Sequence, residues 1–488
     1  MTQKKHTIST AAVTSRHDAP VPLLTFGIEW LQDVPGHWEV QRLKNIATVV
    51  LGKMLTTEIK DGDGAFMPYL RSMNVQWITP DVRDVKQMWI SNSEMAQLRV
   101  RKGDLLVSEG GEVGRACIWN DEIPECYIQN SVHRVAAKSM MLPDFLLYQF
   151  FSYGKRGYFN AIVNRVSIAH LTREKLVTIP FTVPPLPEQK QMVAYLRAQD
   201  AHIARFIKAK RDLIKLLTEQ KLRIIDHAVT RGLDASVALK PSGIEWLGDV
   251  PVHWDTSRLK YCVSRIHAGG TPDTGVDGYW SDSSDGIPWL LIADVTRADR
   301  VVDSKKRVTQ AGLESKRLTV VPAGAVLYTM YASIGKAAIL GIDAVINQAI
   351  LGLEPKSNVL VPEFLFFWLR SLERHIKNLA STSTQANLNA AKVKALPIFF
   401  PSVEEQKQIC GWIKNECRIF DDAITRTEDE IKLIREYRDR LITDVVTGQV
   451  DVRGWQPGPE DVVEDAVLAA LGDDQEEMTE KEDDDDED

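Results

Sequence analysis

Several common sequence features are scarce or missing in this chain of 488 residues. The five cysteines form no CxxC pair and have no histidine at ligand spacing beside them, so neither a zinc site nor a disulfide framework is expected. No apolar stretch reaches the roughly 18 residues of a membrane span. The N-terminus, Met1 to Pro22, lacks the apolar core of a signal peptide. These absences predict a soluble, cytoplasmic protein with reduced thiols and no metal site.

Motifs that carry catalysis are also missing. The sequence contains no GxxxxGK[ST] phosphate loop, GxSxG elbow, HExxH pair or amino-methyltransferase signature. The segment Gly110–Gly114 is rich in glycine but lacks GxGxxG spacing, and its counterpart Tyr331–Gly335 has lost two of the glycines. A tight turn is therefore favoured over a nucleotide site, and no catalytic residue is predicted.

Acidic residues outnumber basic residues in the chain as a whole, and this excess comes from one end of the chain. The formal net charge is −8. From Glu460 to Asp488 sixteen acidic residues face one basic residue, a net charge of −15, which leaves +7 for residues 1–459. The main part of the chain is thus compatible with nucleic acid as a partner. The acidic end is expected to be a disordered, solubilising tail; the alternative hypothesis is a polyanion that competes with DNA for basic surfaces.

What the sequence does contain is an internal repeat. The segment Gly27–Lys44 matches Gly243–Lys260 at thirteen of eighteen positions, at an offset of 216. Glu188–Gln191 recurs as Glu405–Gln408 at an offset of 217. Between these anchors the apolar and glycine positions agree, whereas the polar positions differ. Two domains of one fold with different surface residues are expected of a protein that recognises two different targets, although divergence of a duplicated domain also predicts part of this pattern.

Tryptophans in the repeated motif allow two interpretations. Trp30 and Trp38 in the first copy, with Trp246 and Trp254 in the second, could serve as platforms for base stacking. Residues that recognise different sequences should differ between copies, whereas these are the same. Packing of each domain onto a helix is therefore favoured.

Each repeat ends in a long helical pattern with apolar residues at alternating spacings of three, four and seven. Each helix should have about 40 residues and a length of about 60 Å. Pairing of the two helices through equivalent surfaces would make them antiparallel about a pseudo-twofold axis; the alternative is that each stripe packs on its own globular domain. The predicted pairing positions are Leu196, Ile203, Ile207, Ile214, Leu217 and Ile224 in the first helix, and Ile413, Phe420, Ile424, Ile431, Ile434 and Leu441 in the second.

The globular regions indicate an α+β fold, with two similar mixed α/β domains separated by the helices. Short strands bounded by glycine and proline are predicted at Asp104–Ser108, Ala325–Thr329 and Leu176–Ile179.

Polar residues in the variable regions are the candidates for sequence-specific contact with DNA. Arginine pairs with guanine, and asparagine or glutamine with adenine, in the major groove, while lysine, serine and threonine often hold phosphates. Each residue taken alone is more typical of an ordinary surface, and it is their clustering near the glycine turns and before the long helices that selects them. The candidates are Arg71, Asn74, Arg115, Gln129, Asn130, Arg134, Asn164, Arg165 and Ser167 in the first domain, and Arg297, Thr329, Tyr331, Ser333, Lys336, Asn347, Gln348, Thr384, Gln385 and Asn387 in the second.

The chain resembles the specificity (S) subunits of type I restriction-modification systems. The resemblance is carried by Trp30–Trp38 and Trp246–Trp254 with their Arg-Leu-Lys ends, and by the proline-rich stretches that lead into Glu188–Gln191 and Glu405–Gln408. It covers about residues 25 to 450, and the double occurrence at one offset makes it specific.

The resemblance implies a non-catalytic subunit whose two target-recognition domains each recognise half of a bipartite DNA site. The antiparallel helices would set the spacer and dock two modification (methyltransferase) subunits, which carry S-adenosylmethionine and methylate adenine. Restriction subunits, ATP-driven translocases with a nuclease that uses Mg, would complete the assembly. No cofactor is expected in this chain, and its small positive charge suggests that tight DNA binding needs the modification subunits.

The predicted domain organisation follows from the repeat: a flexible segment 1–24, target-recognition domain 1 at 25–182, a conserved helix at 183–236, target-recognition domain 2 at 237–400, a second conserved helix at 401–449 and an acidic disordered tail at 450–488. Two other functions compete with DNA recognition. An enzyme with an unrecognised active site should keep a catalytic set in one copy, and none is found. A coiled-coil scaffold would explain the helices but not two globular domains with unlike polar surfaces.

Overall fold

The computed structural model describes residues 23–24, 34–59, 63–163, 170–331, 333–380 and 388–461, together with 463, 468 and 471. The chain divides into two compact units. Unit 1 comprises Met1–Ala209 and Glu430–Gln475, and unit 2 comprises Lys210–Asp429 and Glu476–Asp488. Each unit therefore contains one globular domain and part of both long helices.

The domain of unit 1 is built on a four-stranded antiparallel sheet and a three-stranded mixed sheet. The first sheet has the strand order Ala47–Leu51, Val132–Ala137, Leu105–Ser108 and Ala116–Ile118, and the second has the order Lys86–Ser91, Gly64–Leu70 and Tyr127–Ile128. Two strand pairs complete it, Leu23–Leu24 with Val34–Pro35 and Glu39–Arg42 with Pro180–Val183. The helices are Leu43–Ile46, Ser72–Asn74, Asn92–Leu98, Pro143–Lys155, Tyr158–Ile162 and Arg173–Leu176.

Unit 2 repeats this architecture. Its five-stranded sheet has the order Val263–Ala268, Ile350–Pro355, Val326–Thr329, Ala337–Leu340 and Arg300–Val301, and its three-stranded sheet has the order Lys306–Val308, Ile287–Leu290 and Val345–Ile346. The strand pairs are Leu239–Pro241 with Asp249–Pro251 and Asp255–Arg258 with Pro397–Phe400. The helices are Leu259–Cys262, Asp277–Tyr279, Ile292–Arg297, Gln310–Ser315, Pro362–Ser371, Glu373–Ala380 and Ala390–Ala395.

The first long helix is Leu186–Arg231, with 46 residues, and the second is Val403–Val446, with 44 residues. Within unit 1, Asp200 pairs with Arg438, and within unit 2, Lys221 pairs with Asp421. Later residues of the first helix thus meet earlier residues of the second, so the helices are antiparallel, as predicted. No helix in the described part of the chain is long and apolar enough to cross a membrane.

The predicted pairing positions differ in burial along the helices. The positions toward the helix ends enter the domain cores: Leu196 and Leu441 share the apolar core of unit 1, and Ile413 belongs to that of unit 2. Six of the twelve are buried, namely Leu196, Ile203, Ile207, Ile413, Ile431 and Leu441, and six are half-buried, namely Ile214, Leu217, Ile224, Phe420, Ile424 and Ile434.

Two of the three predicted strands are present, and the third prediction is wrong. The strands Leu105–Ser108 and Val326–Thr329 lie where they were expected. Leu176–Ile179 instead closes a helical turn, because the Val177 N–H donates to the Arg173 carbonyl and the Thr178 hydroxyl to the Lys175 carbonyl. Its run of three β-branched residues, Val177 to Ile179, is typical of a strand, but the strand begins only at Pro180.

The repeated Trp motif attaches each domain to a long helix through the same hydrogen bonds. In unit 1 the Trp38 indole donates to Glu188 (3.0 Å), and in unit 2 the Trp254 indole donates to Glu405 (3.1 Å). The preceding histidine binds the same carboxylate in both copies. Trp38 and Trp254 are buried. This confirms the packing interpretation for these two rings; Trp30 lies outside the described residues.

Candidate nucleic-acid interface

A hairpin turn with the same hydrogen bonds occurs in both domains. In unit 1 the Gly114 N–H donates to the Ser108 carbonyl (3.0 Å), and in unit 2 the Gly335 N–H donates to the Thr329 carbonyl (3.0 Å). Both glycines have positive φ, +79° and +81°, which favours glycine at each position. The glycine-rich segment is therefore a turn, and Arg115 occupies the place of Lys336.

A second glycine in each domain brings two backbone segments together. A Cβ at Gly52 would lie 2.1 Å from the Gln129 carbonyl oxygen, and one at Gly269 would lie 1.9 Å from that of Asn347. Only glycine permits this approach. The two glycines are 217 positions apart, and they make Gln129 equivalent to Asn347. The dipeptide Gln-Asn of unit 1 thus becomes Asn-Gln in unit 2.

In unit 1 the hairpin and the Gln-Asn segment are joined by serines. The Arg115 guanidinium donates to the Ser72 carbonyl (3.3 Å), and the Ser72 N–H donates to the Ser131 hydroxyl (3.1 Å). That hydroxyl donates in turn to the Gln129 side-chain carbonyl (3.0 Å). Arg115, Gln129 and Asn130 are half-buried. The structure thus brings these candidates together and leaves part of each accessible.

Three other candidates of unit 1 have partners within the fold. Asn74 is 2% exposed; its carbonyl accepts the Arg71 N–H (2.9 Å) and its amide donates to two backbone carbonyls. The Arg71 guanidinium binds Asp84 (2.6 Å) and holds the pKa of that carboxyl below its ordinary value, through a hydrogen bond and through its charge. Arg134 is buried and pairs with Asp104 (3.2 Å). Asn74 and Arg134 support the domain from inside.

The candidates of unit 2 divide in the same way. Thr329 is fully buried and its hydroxyl binds within the turn, while Asn347 accepts the Ala349 N–H (3.1 Å) and is 8% exposed. Lys336 is half-buried and pairs with Glu373. The exposed candidates are Arg297, Tyr331, Ser333 and Gln348, the last of which accepts a hydrogen bond from Thr271. Asn164, Arg165, Ser167, Thr384, Gln385 and Asn387 lie outside the described residues.

Four polar residues at this interface were not predicted. Ser72, Ser131 and Thr271 form hydrogen bonds with the candidates directly. Lys53 follows Gly52 in the chain and forms an ion pair with Glu94 (2.5 Å). Gly52 and Gly269 are 217 positions apart, which is also the offset between Glu188–Gln191 and Glu405–Gln408. This common offset could have identified the loop from the sequence.

The described residues contain no group of three or more His, Cys, Asp and Glu side chains that could hold a metal ion. The cysteines are free and buried. Burial raises the pKa of Cys126 and of Cys410 to about 12, so these thiols are protonated and unreactive at neutral pH. The exposed groups at the interface are hydrogen-bond donors and acceptors suited to base edges and phosphates.

Two segments of the chain, residues 35–216 and 251–433, match the type I restriction modification DNA specificity domain. The chain belongs to this family. The two matches coincide with the two copies of the repeat, so the duplication seen in the sequence is a duplication of the specificity domain.

Two relatives from one organism align with most of the chain. The putative type I restriction enzyme MjaX specificity subunit of Methanocaldococcus jannaschii is 23% identical over 434 residues, which are 86% of this chain and 95% of the relative. The MjaVIII specificity subunit of the same organism is 22% identical over 431 residues, 86% of this chain and 94% of the relative.

A similar solved structure comes from a study of complex assembly and conformational transition in the type I R-M system. It superposes with a TM-score of 0.51 at 16% identity, over 86% of this chain and 99% of that chain. This likeness supports the specificity-family fold, with two α/β domains and two long antiparallel helices.

Proposed function

We propose that each globular domain recognises one half of a bipartite DNA target. The observation that carries this proposal is that the same glycine-dependent loops occur in both domains. They position Arg115 and Gln129-Asn130 in unit 1, and Lys336 and Asn347-Gln348 in unit 2. Two domains that recognise different DNA sequences need the same backbone with different side chains. The exposed and half-buried candidates would contact bases, and the buried ones would fix the loops that present them.

The chemistry of these side chains fits base recognition. An arginine fork can bind the O6 and N7 of guanine, and a glutamine or asparagine amide can bind the N6 and N7 of adenine, each pair contributing about 1–3 kcal/mol of discrimination. Arg115 and Gln129 in unit 1 and Gln348 in unit 2 are the residues for which we propose this role. Lys53, Lys336 and the serines beside them would hold phosphates.

The long helices would set the distance between the half-sites and dock two modification (methyltransferase) subunits. We propose that the chain itself is non-catalytic and acts in the cytoplasm, where restriction subunits join the same complex. S-adenosylmethionine, ATP and Mg would then be bound by those partners. The hydrogen bonds of Glu188 and Glu405 support this arrangement, because each carboxylate fixes one domain to a long helix.

A domain exchange tests the proposal. Replacing residues 45–175 with the equivalent region of a relative should change only one half of the recognised sequence, since Gly52, Arg115 and Gln129 all lie in the exchanged part. Mapping methylated adenines in DNA modified by the complex gives the result. The matched control is the equivalent exchange in unit 2, which should change the other half. Changes in both halves, or in neither, would contradict modular recognition.

A further inference from the structure

The chain that follows the second long helix folds back along the first. The helix ends at Val446, and Gly448 turns the chain at φ 76° directly against Pro35. Val452 is buried in the core of unit 1. Trp455 then lies edge-on against Tyr195, with ring centroids 5.4 Å apart. We call residues 449–461 the clasp.

The far end of the clasp is fixed to the same helix. His202 binds the Asp461 carboxylate (2.7 Å), and the Arg205 guanidinium donates to the Glu460 carbonyl (3.0 Å). The Gly458 N–H also donates to Asp461 (2.7 Å). The family match ends at residue 433, so no part of the clasp belongs to the specificity domain. The clasp brings the end of the described chain to residues 202–205 of the first long helix.

A basic stripe lies beside the clasp. Between residues 189 and 209 the first helix carries four basic residues, Lys190, Arg197, Arg205 and Lys208, at spacings that place them on one helix face. Its one acidic residue in this range, Asp200, is buried and paired with Arg438. Lys190 and Arg197 also line the groove between the helix and Trp455. Asp461 of the clasp lines the same groove, so basic side chains predominate on this face of the helix with one clasp carboxylate beside them.

The remaining chain has the opposite charge. Residues 464–488 contain fourteen acidic residues and one basic residue. About 25 residues can extend roughly 80 Å, whereas the stripe from residue 190 to residue 208 is about 27 Å long. The acidic segment is therefore long enough to cover the whole stripe from its starting point beside His202.

We propose that the basic stripe of the first long helix is a docking surface for the chain's own acidic segment, residues 464–488, which the clasp delivers to it. The docked polyanion occupies the positions that DNA phosphates would otherwise take. It thereby suppresses binding of DNA that lacks the target sequence. This contact does not depend on which bases the two domains recognise.

Carbodiimide cross-linking of the full chain tests the docking directly, because it joins carboxylates to neighbouring lysine amines without a spacer. Mass spectrometry should find residues 464–488 joined to Lys190 and Lys208, with both products lost at high salt. A mixture of isotopically light and heavy chains identifies links within one chain. Products confined to Lys481, or spread equally over lysines of the globular domains, would overturn the proposal.

Two variants separate the clasp from the charge. Replacing residues 482–488 by asparagine and glutamine keeps the length, removes seven of the fourteen carboxylates and should lower the yield of helix cross-links. Combining Trp455→Ala with Asp461→Asn keeps the acidic segment but releases its anchor, and should reduce the cross-links several-fold. Unchanged yields in both variants would show that the segment binds elsewhere.

Binding to a duplex without the target sequence provides the second readout. A chain truncated after Val463 retains the clasp and should bind this duplex about tenfold more tightly at low salt. Lys190→Glu with Lys208→Glu in the truncated chain should abolish that gain. The proposal is refuted if truncation has no effect, or if the gain persists after the charge reversal. Recognition of the specific site is measured separately, so failure of one proposal does not imply failure of the other.

Discussion

At the scale of single residues, the two units differ in the ion pair that joins the long helices. In unit 1 the Arg438 guanidinium binds both oxygens of Asp200 (2.6 and 3.2 Å), and the Tyr148 hydroxyl donates to the same carboxylate (3.0 Å). Burial acts to lower the pKa of Arg438, but the charge and hydrogen bonds of Asp200 raise it, so the guanidinium stays charged. The side chains of Asp200 and Arg438 are only 6% and 9% exposed.

The counterpart ion pair in unit 2 is partly exposed, since the Lys221 side chain is 14% exposed and its partner carboxylate faces solvent. Lys221, at the position equivalent to Arg438, pairs with Asp421 (2.6 Å), whose side chain is 51% exposed. Lys221 also approaches Asp299 (3.8 Å), which in turn pairs with Arg370. Exposed ion pairs are screened by water and salt, whereas a buried pair is costly to break. The two junctions should therefore respond differently to the same substitution.

Arg438→Met should destabilise unit 1 by about 3–5 kcal/mol, because it leaves Asp200 charged and buried without a partner. Lys221→Met, the matched control, should cost about 0–1 kcal/mol in unit 2. Hydrogen exchange in helices Pro143–Lys155 and Pro362–Ser371 reports on each unit separately. Combining Arg438→Met with Asp200→Asn should recover part of the loss. Equal costs for Arg438→Met and Lys221→Met would refute this account of the junction.

At the scale of elements, the long helices combine two roles along one length. Their ends belong to the domain cores, where Leu196, Leu441 and Ile413 are buried, whereas Ile214 and Ile424 farther along are half-buried. The apolar stripe thus packs into the domain cores toward the helix ends, and ion pairs join the two helices within each unit. The middle of each helix is the stretch where length can change with least effect on the domains.

Insertion of one heptad in each helix should lengthen the spacer of the recognised DNA. Seven residues after Ile214 and seven between Ile424 and Ile431 add about 10 Å of helix, which corresponds to about three base pairs at 3.4 Å each. Methylation mapping should show both half-sites unchanged and a longer spacer between them. The control replaces one heptad by another of the same pattern without changing the length. An unchanged spacer in the lengthened chain would count against the helices as the spacing element.

At the scale of the whole molecule, charge limits what the chain can do alone. Residues 1–459 carry +7, and the acidic end brings the total to −8. Affinity for DNA depends on the number of phosphates that basic side chains neutralise. A chain with this balance can select a sequence, but it supplies little of the electrostatic attraction itself.

The isolated chain should therefore bind its target weakly, and the modification subunits should strengthen binding by orders of magnitude. Fluorescence anisotropy at two salt concentrations measures this, and the dependence on salt should become steeper when the subunits are added, because more phosphates are neutralised. Equal affinity and equal salt dependence with and without them would contradict the prediction. A duplex with one altered half-site is the control for specific binding.

The duplication, the α+β class, the two long helices and the role of the repeated Trp motif could all be predicted from the sequence. These features are periodic or occur twice, so neighbouring positions and a constant offset are sufficient to find them. Gly52 and Gly269 could have been found in the same way. The segment 176–179 has the β-branched composition of a strand, and only its position between the helix that ends at Leu176 and the strand that begins at Pro180 makes it a turn.

The accessibility of the polar candidates could not be predicted in this way, because it depends on the folded chain. Arg134 and Arg115 look alike in the sequence, yet Arg134 is buried against Asp104, whereas Arg115 is half-buried and binds Glu112 and the Ser72 carbonyl. The burial of Asp200 with Arg438 was equally hidden, since the partners are 238 positions apart. A side chain's partner depends on which distant segments pack beside it. The packing of distant segments is determined by burial of the whole core, and a local sequence pattern does not indicate it.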